Sequence, residues 1–140
     1  MSMFKDYKQK EFKVFISDKI EVKNSDIHGW GVFAKEEIGS HEIVEVSPVI
    51  IFDKATMTAL ADVYEHRHIL MDYPFGWTAN DLAFSLGWGG IYNHSKTPNL
   101  RWNCNYEKKV LEFRTLRKVK TGEELVSSYV PKSLQQDLWF

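Results

Sequence analysis

Three short stretches of this chain carry residues whose types and spacing could do chemistry. Gly29-Trp30-Gly31 sets one aromatic residue between two glycines. Glycine tolerates positive φ and lets a backbone come close to a bound molecule, so the triplet suits a turn lying against a ligand. Tyr92-Asn93-His94-Ser95, with Pro98-Asn99 just behind, puts an amide beside an imidazole. Each can donate and accept, which suits reading the edge of an adenine ring. Gly122-Glu123-Glu124-Leu125-Val126-Ser127-Ser128-Tyr129 runs from a turn along a strand to a tyrosine. Each stretch taken singly also has an ordinary explanation: a tight turn, a polar loop bonding its own backbone, and a packed core tyrosine. The glycine triplet lacks the third glycine and the strand-to-helix setting of a dinucleotide fingerprint.

The elements that must position these stretches are mostly short strands. Ile20 to Lys23 reads as a strand, Asn24-Ser25-Asp26 as a turn, and His28 to Gly31 as a second tight bend before the apolar Val32-Phe33-Ala34. Ile43 to Phe52 is rich in β-branched residues and is expected to be a strand. Asp53 can cap a helix, and Met57, Leu60, Tyr64 and Met71 follow a helical spacing that Pro74 ends. Arg101 to Asn105 alternates, as do Leu111 to Arg114, so the two form a hairpin around Tyr106-Glu107-Lys108. Leu125 to Val130 is the last strand. Many strands with one helical insertion give a mainly β, α+β fold rather than alternating βαβ units.

At 140 residues there is room for one domain, and 44% hydrophobic residues suffice for a core. The formal charge of -1 and the scattered Lys and Arg argue against direct nucleic-acid or membrane binding. Cys104 is the only cysteine, which excludes an internal disulfide and any multi-cysteine zinc site. His66 and His68 are two apart in an expected helix and face different ways, so no metal is expected. Glu123 and Glu124, as strand neighbours, point to opposite faces; one should support the turn and the other be solvated. The polar start, Met1 to Lys13, and the lack of a long apolar stretch suggest an intracellular, cytoplasmic protein.

Taken together and in this order, the three stretches resemble the SET-domain signature: Gly-x-Gly, then Asn-His-Ser with Pro-Asn, then Gly-Glu-Glu-Leu leading to Tyr. The run Leu86 to Ser95 is similar to that of compact, stand-alone bacterial and viral members, for which a host nucleus is a further location. The resemblance covers roughly Lys19 to Val130. It divides the chain into an N-terminal extension (1–18), the SET domain (19–130) and a tail (131–140) that could be a lid or an interface.

The resemblance implies small curved sheets, with a C-terminal segment threaded under a preceding loop as a pseudoknot. It implies a protein-lysine N-methyltransferase, acting on a histone or another protein. S-adenosylmethionine would be the methyl donor and S-adenosylhomocysteine the product. Gly29, Trp30, Gly31, Asn93 and His94 would bind the cofactor, and Tyr129 would be catalytic. Tyr73 is carried over as a cofactor or lysine-channel residue, with Trp88, Trp139 and Phe140 as further channel candidates. After Tyr129 the chain runs Val130-Pro131-Lys132-Ser133, where many members have Gly and an aromatic residue. The zinc-binding cysteines that follow the domain in chromatin enzymes are missing. A lid must then come from the tail or from a second copy, so a homodimer is open. That departure also leaves room for a binding module that has lost turnover, or an interaction domain without cofactor.

Overall fold

The chain's β-branched run becomes its longest strand, β4 (Ile43–Asp53), in the computed structural model, which describes residues 13–64 and 69–128. The first half of β4 pairs antiparallel with β9 (Val110–Thr115) and the second half with β6 (Asp81–Ser85). A short β1 (Phe15–Ile16) adds to its other edge, Phe15 opposite Val46. β8 (Leu100–Asn105) and β9 form the expected hairpin around a turn in which Lys109 takes φ 56°. Alternation sends Trp102, Leu111 and Phe113 into the core and leaves Arg101, Asn103 and Arg114 outside.

On the far side of the hairpin, β2 (Ile20–Asn24) pairs with β3 (Trp30–Ala34), and β10 (Glu124–Ser127) lies between β3 and β8. With β5 (Phe75–Gly76) on β6 and β7 (Asn93–His94) on β10, the strands among the described residues make one ten-stranded sheet. Phe75, Trp102, Tyr92 and Phe113 meet at its centre, with Phe75 edge-on to Trp102 at 4.9 Å and Tyr92 beside Phe113 at 4.9 Å. The expected mixed α and β composition is what the chain has.

Asp53 caps the helix α1 (Lys54–Tyr64), accepting the Thr56 N–H at 2.8 Å. The helix ends earlier than the spacing through Met71 suggests. Ile69–Asp72 is instead a separate 3₁₀ turn that stops before Tyr73, where Pro74 disfavours helical backbone. Within α1 only Met57 is buried, against Leu82 with Phe52, Leu60, Ala61 and Phe84 around it. β6 gave no alternation in the sequence because both its faces are covered: Leu82 packs under α1, and Ala83 belongs to the main core. The bend expected over His28 to Gly31 is also shifted. Ser25 N–H bonds the Gly29 carbonyl at 2.8 Å to close the turn, and Trp30 and Gly31 already belong to β3, opposite Asn24 and Lys23.

Candidate active site

β10 is where the three stretches meet. Gly122, at φ 86°, makes the turn that only a residue without Cβ takes easily, and feeds the chain into the strand. One edge of β10 pairs antiparallel with β3, Leu125 opposite Val32. The other pairs in parallel with β7, Val126 opposite Asn93 and Ser127 opposite His94. The Ser95 N–H reaches the Ser127 carbonyl at 3.0 Å, and the Asn99 N–H reaches Val126 at 3.1 Å. The Asn99 side chain fills the gap where the ladder splits. Its Oδ1 accepts the Val126 N–H at 2.8 Å and its Nδ2 donates to the Glu124 carbonyl at 2.8 Å. Asn99 is almost fully buried, so these bonds satisfy groups that water does not reach.

Asn93 is the tie between stretches. Its side-chain Nδ2 donates to the carbonyls of His28 and Trp30, each at 3.1 Å, and to Glu124 Oε2 at 2.8 Å. The other Glu124 oxygen accepts the Ser25 hydroxyl at 2.7 Å. One amide and one carboxylate thus clamp the turn over residues 25–31 onto the β7–β10 pair. The two glycines of that turn serve different needs. Gly29 takes φ 49° and has open space where a Cβ would be. Gly31 has ordinary φ but no space: a Cβ there would strike the Glu124 carboxylate and come within 3.0 Å of the Ser25 Cβ.

Both glutamates are partly buried and hydrogen-bonded, so neither is simply solvated as the sequence expectation had one of them. Glu123 accepts from Arg117 and from the Lys120 N–H at 3.0 Å, supporting the turn as expected. The Arg117 bond, with those from Lys120 and Asn99 and the Arg117 charge, brings its carboxyl down to about 2. Glu124 goes inward because Gly31, facing it, makes room. No signal short of the pairing of β10 with β3 could have shown this.

The remaining site candidates fall into two groups. Trp30 is 61% exposed beside Gly29, and His94 is exposed on the strand next to Asn93. Tyr73 is partly exposed and lies against Gly90, where an added Cβ would be 3.4 Å from its ring. Trp88 is half-buried against the core. Tyr129, Trp139 and Phe140 lie outside the described residues, as do His66 and His68. The chain one residue before Tyr129 is held, since Trp102 Nε1 donates to the Ser128 carbonyl at 3.0 Å. Among the described residues no three His, Cys, Asp or Glu side chains come together as a metal ion would need.

Sequence reasoning passed over Glu45. It lies in β4, fully buried, and accepts the Tyr92 hydroxyl at 2.6 Å and the Trp88 N–H at 2.7 Å. Burial pushes its carboxyl up, against the pull of those two bonds, and burial beside Glu45 pushes the Tyr92 hydroxyl well above its ordinary value. A polar groove of about 340 Å³ also lies on the outer face of the β8–β9 hairpin, lined by Arg101, Asn103, Glu112 and Arg114; none of the expected site residues borders it.

Comparison with known proteins matches residues 29–130 to the SET domain. The chain is 32% identical over 128 residues to a Schizosaccharomyces pombe protein, a histone-lysine N-methyltransferase specific for H3 lysine-37; the match covers 89% of this chain and 79% of that relative. Among solved structures it is similar to a Plasmodium falciparum protein described as a candidate histone methyltransferase, with TM-score 0.63 and 27% identity. That likeness covers 82% of this chain and 96% of the other. These relatives are fungal and apicomplexan, which overturns the expectation of a bacterial or viral type. The run Leu86 to Ser95 suggested that type, yet eukaryotic relatives are matched over most of their own length, so that run and a compact chain do not separate the groups.

Proposed function

This chain belongs to the SET-domain family and is an S-adenosylmethionine-dependent protein-lysine N-methyltransferase, and we propose that its cofactor lies against Gly29, Trp30, Gly31, Asn93 and His94. The observation that carries this reading is the clamp of Asn93 and Glu124 on the 25–31 turn, which brings separate parts of the sequence to one place. The residues suit such a molecule. Gly29 leaves space beside a backbone held in shape from behind, and the exposed Trp30 and His94 rings offer apolar and hydrogen-bonding surface. The cofactor supplies a methyl group on a positively charged sulfonium.

Tyr129 is the catalytic residue in this proposal, its hydroxyl orienting the lysine amine toward that methyl. Transfer is an in-line displacement, so the chief task of the protein is to align donor and acceptor. The lysine must arrive neutral, although its ordinary pKa is ~10.4. Tyr73 and Trp88, with Trp139 and Phe140 from the tail, would line an apolar channel that disfavours the ammonium form. No general base is then needed. The SET pseudoknot belongs to the same proposal, with β10 passing beneath the 93–99 segment; the Ser95–Ser127 and Asn99–Val126 bonds support it.

The substrate we infer is a lysine in a histone tail, since the fungal relative is a histone H3 enzyme. The test is methyl transfer from labelled S-adenosylmethionine to histone H3 and to H3 peptides, with calorimetry of cofactor binding alongside. Tyr129→Phe should lose most turnover, on the order of 100-fold or more, and keep its cofactor affinity. Full activity in that variant would remove Tyr129 from the mechanism, and a wild-type protein that binds no cofactor would overturn the site.

A further inference from the structure

Glu45 is an expensive residue to keep. Its carboxylate is fully buried, and among the described residues no Lys, Arg or His forms an ion pair with it. Its neighbours Val44 and Val46 are buried and apolar, so an apolar side chain would suit the strand at least as well. What a carboxylate has, and a hydrocarbon or an amide lacks, is two acceptor oxygens and no donor. Both oxygens are used, and both go to one loop. Oε2 takes the Trp88 backbone N–H and Oε1 takes the Tyr92 hydroxyl, four residues further on.

The loop is shaped around that carboxylate. A Cβ at Gly87 would run into Glu45 and lie 2.9 Å from the Ser47 Cβ, so the backbone passes closer than any other residue would allow. Ser47 and Ser85 bond each other at 2.9 Å below it, and Ser85 Oγ accepts the Gly87 N–H at 3.2 Å. Leu86 N–H is held by the Pro48 carbonyl at 2.9 Å. Tyr92 is wedged against Phe113 and is followed directly by Asn93, whose amide holds the His28 and Trp30 carbonyls. A continuous line of contacts therefore runs from Glu45 through Tyr92 and Asn93 to the glycine turn, with Trp88 fixed on the way.

We propose that Glu45 is a positioning residue for methyl transfer: it fixes the 86–92 segment at two points and so sets the place of Trp88, Asn93 and the turn over residues 28–31. This rests on the reading of that turn as the cofactor site. Glu45 touches neither reactant; its effect reaches them through Tyr92 and Asn93.

The experiment compares the wild-type full chain with Glu45→Gln, Tyr92→Phe and the double variant. S-adenosylhomocysteine binding is measured by calorimetry well below each unfolding midpoint, and KM for S-adenosylmethionine and kcat are measured with histone H3. Either single change leaves one buried donor or acceptor unmatched, and the affinity should fall about tenfold. KM for S-adenosylmethionine should rise with it, and kcat at saturation should fall less. The double variant should be hardly weaker than the singles, because both remove the same bond. A merely structural Glu45 would lower the unfolding temperature and leave the affinity of the folded protein unchanged; that result overturns the proposal. Tyr92→Phe keeps the ring on Phe113 and decides the matter if Glu45→Gln does not fold. Wild-type protein that fails to bind S-adenosylhomocysteine would instead sink the cofactor reading underneath.

Discussion

Replacing Asn93 with alanine tests the clamp most directly. The amide donates to two backbone carbonyls and to one carboxylate oxygen, and Asn93 is only 5% exposed. A neutral bond of this kind contributes ~1 kcal/mol, and one to a carboxylate ~1.5–3 kcal/mol. One NH₂ group shares three acceptors, so the full sum does not apply. Trp30 and His28 are exposed, and water can reach part of what the amide leaves behind. About 2–3 kcal/mol remains as the expected loss. For a domain of this size that lowers the unfolding midpoint by roughly 10 °C. Cofactor affinity should drop as well, since the turn over residues 28–31 loses its fixed carbonyls. Asn93→Asp should be worse than alanine, because it sets a second carboxylate against Glu124. The assay is thermal unfolding by circular dichroism, with S-adenosylhomocysteine titrated into the folded variant. A midpoint within about 2 °C of wild type, together with unchanged affinity, would refute the claim that this amide ties the stretches together.

Other consequences follow from the same geometry. Gly31→Ala forces a methyl group into the Glu124 carboxylate and should cost about 1–3 kcal/mol, whereas Gly29→Ala meets only the backbone penalty at positive φ, about 1 kcal/mol. Equal unfolding midpoints for the two variants would contradict the distinct roles given to the glycines. Glu123 links stability to acid. Its carboxyl stands at about 2 in the fold, chiefly because Arg117 donates to it, against 4.5 for an ordinary glutamate. A depressed value stabilises the fold in full above about 4.5, and the benefit is lost as pH falls from there toward about 2. The pair is half exposed, so screening holds the effect to about 1 kcal/mol or less. Urea midpoints of wild type and Glu123→Gln should converge across that window; a constant gap would refute the linkage.

What could be read in the sequence was whatever repeats with a period or sits in a recognisable order. Ile43 to Phe52 and the hairpin strands alternate or are β-branched over four or more residues, and they appear nearly as expected. β5 and β7 have two residues each, too few to carry a period, and β6 is covered on both faces, which erases alternation. The order of the three stretches pointed to the right family because they are brought together by β10, and that constraint leaves its mark on residue type at each stretch. Tyr129, Trp139 and Phe140 rest on the resemblance alone, since they lie outside the described residues.

The acids were the least legible part, and the reason is physical. A glutamate in a strand reads as a residue facing water, because an isolated buried charge is so costly. Glu45 and Glu124 escape that rule in the same way. Each faces a glycine, Gly87 and Gly31, whose missing side chain leaves room for a carboxylate. Each then gathers donors from another part of the chain, Trp88 and Tyr92 in one case, Asn93 and Ser25 in the other. Glycine and glutamate here form a pair that no local pattern reveals, since 42 residues separate Glu45 from Gly87 and 93 separate Gly31 from Glu124. The two pairs sit on either side of the step from Tyr92 to Asn93, so one carboxylate fixes the loop entering that step and the other fixes what Asn93 holds. Removing either should loosen the same turn, which is why cofactor affinity, more than stability, is the property that reports on both.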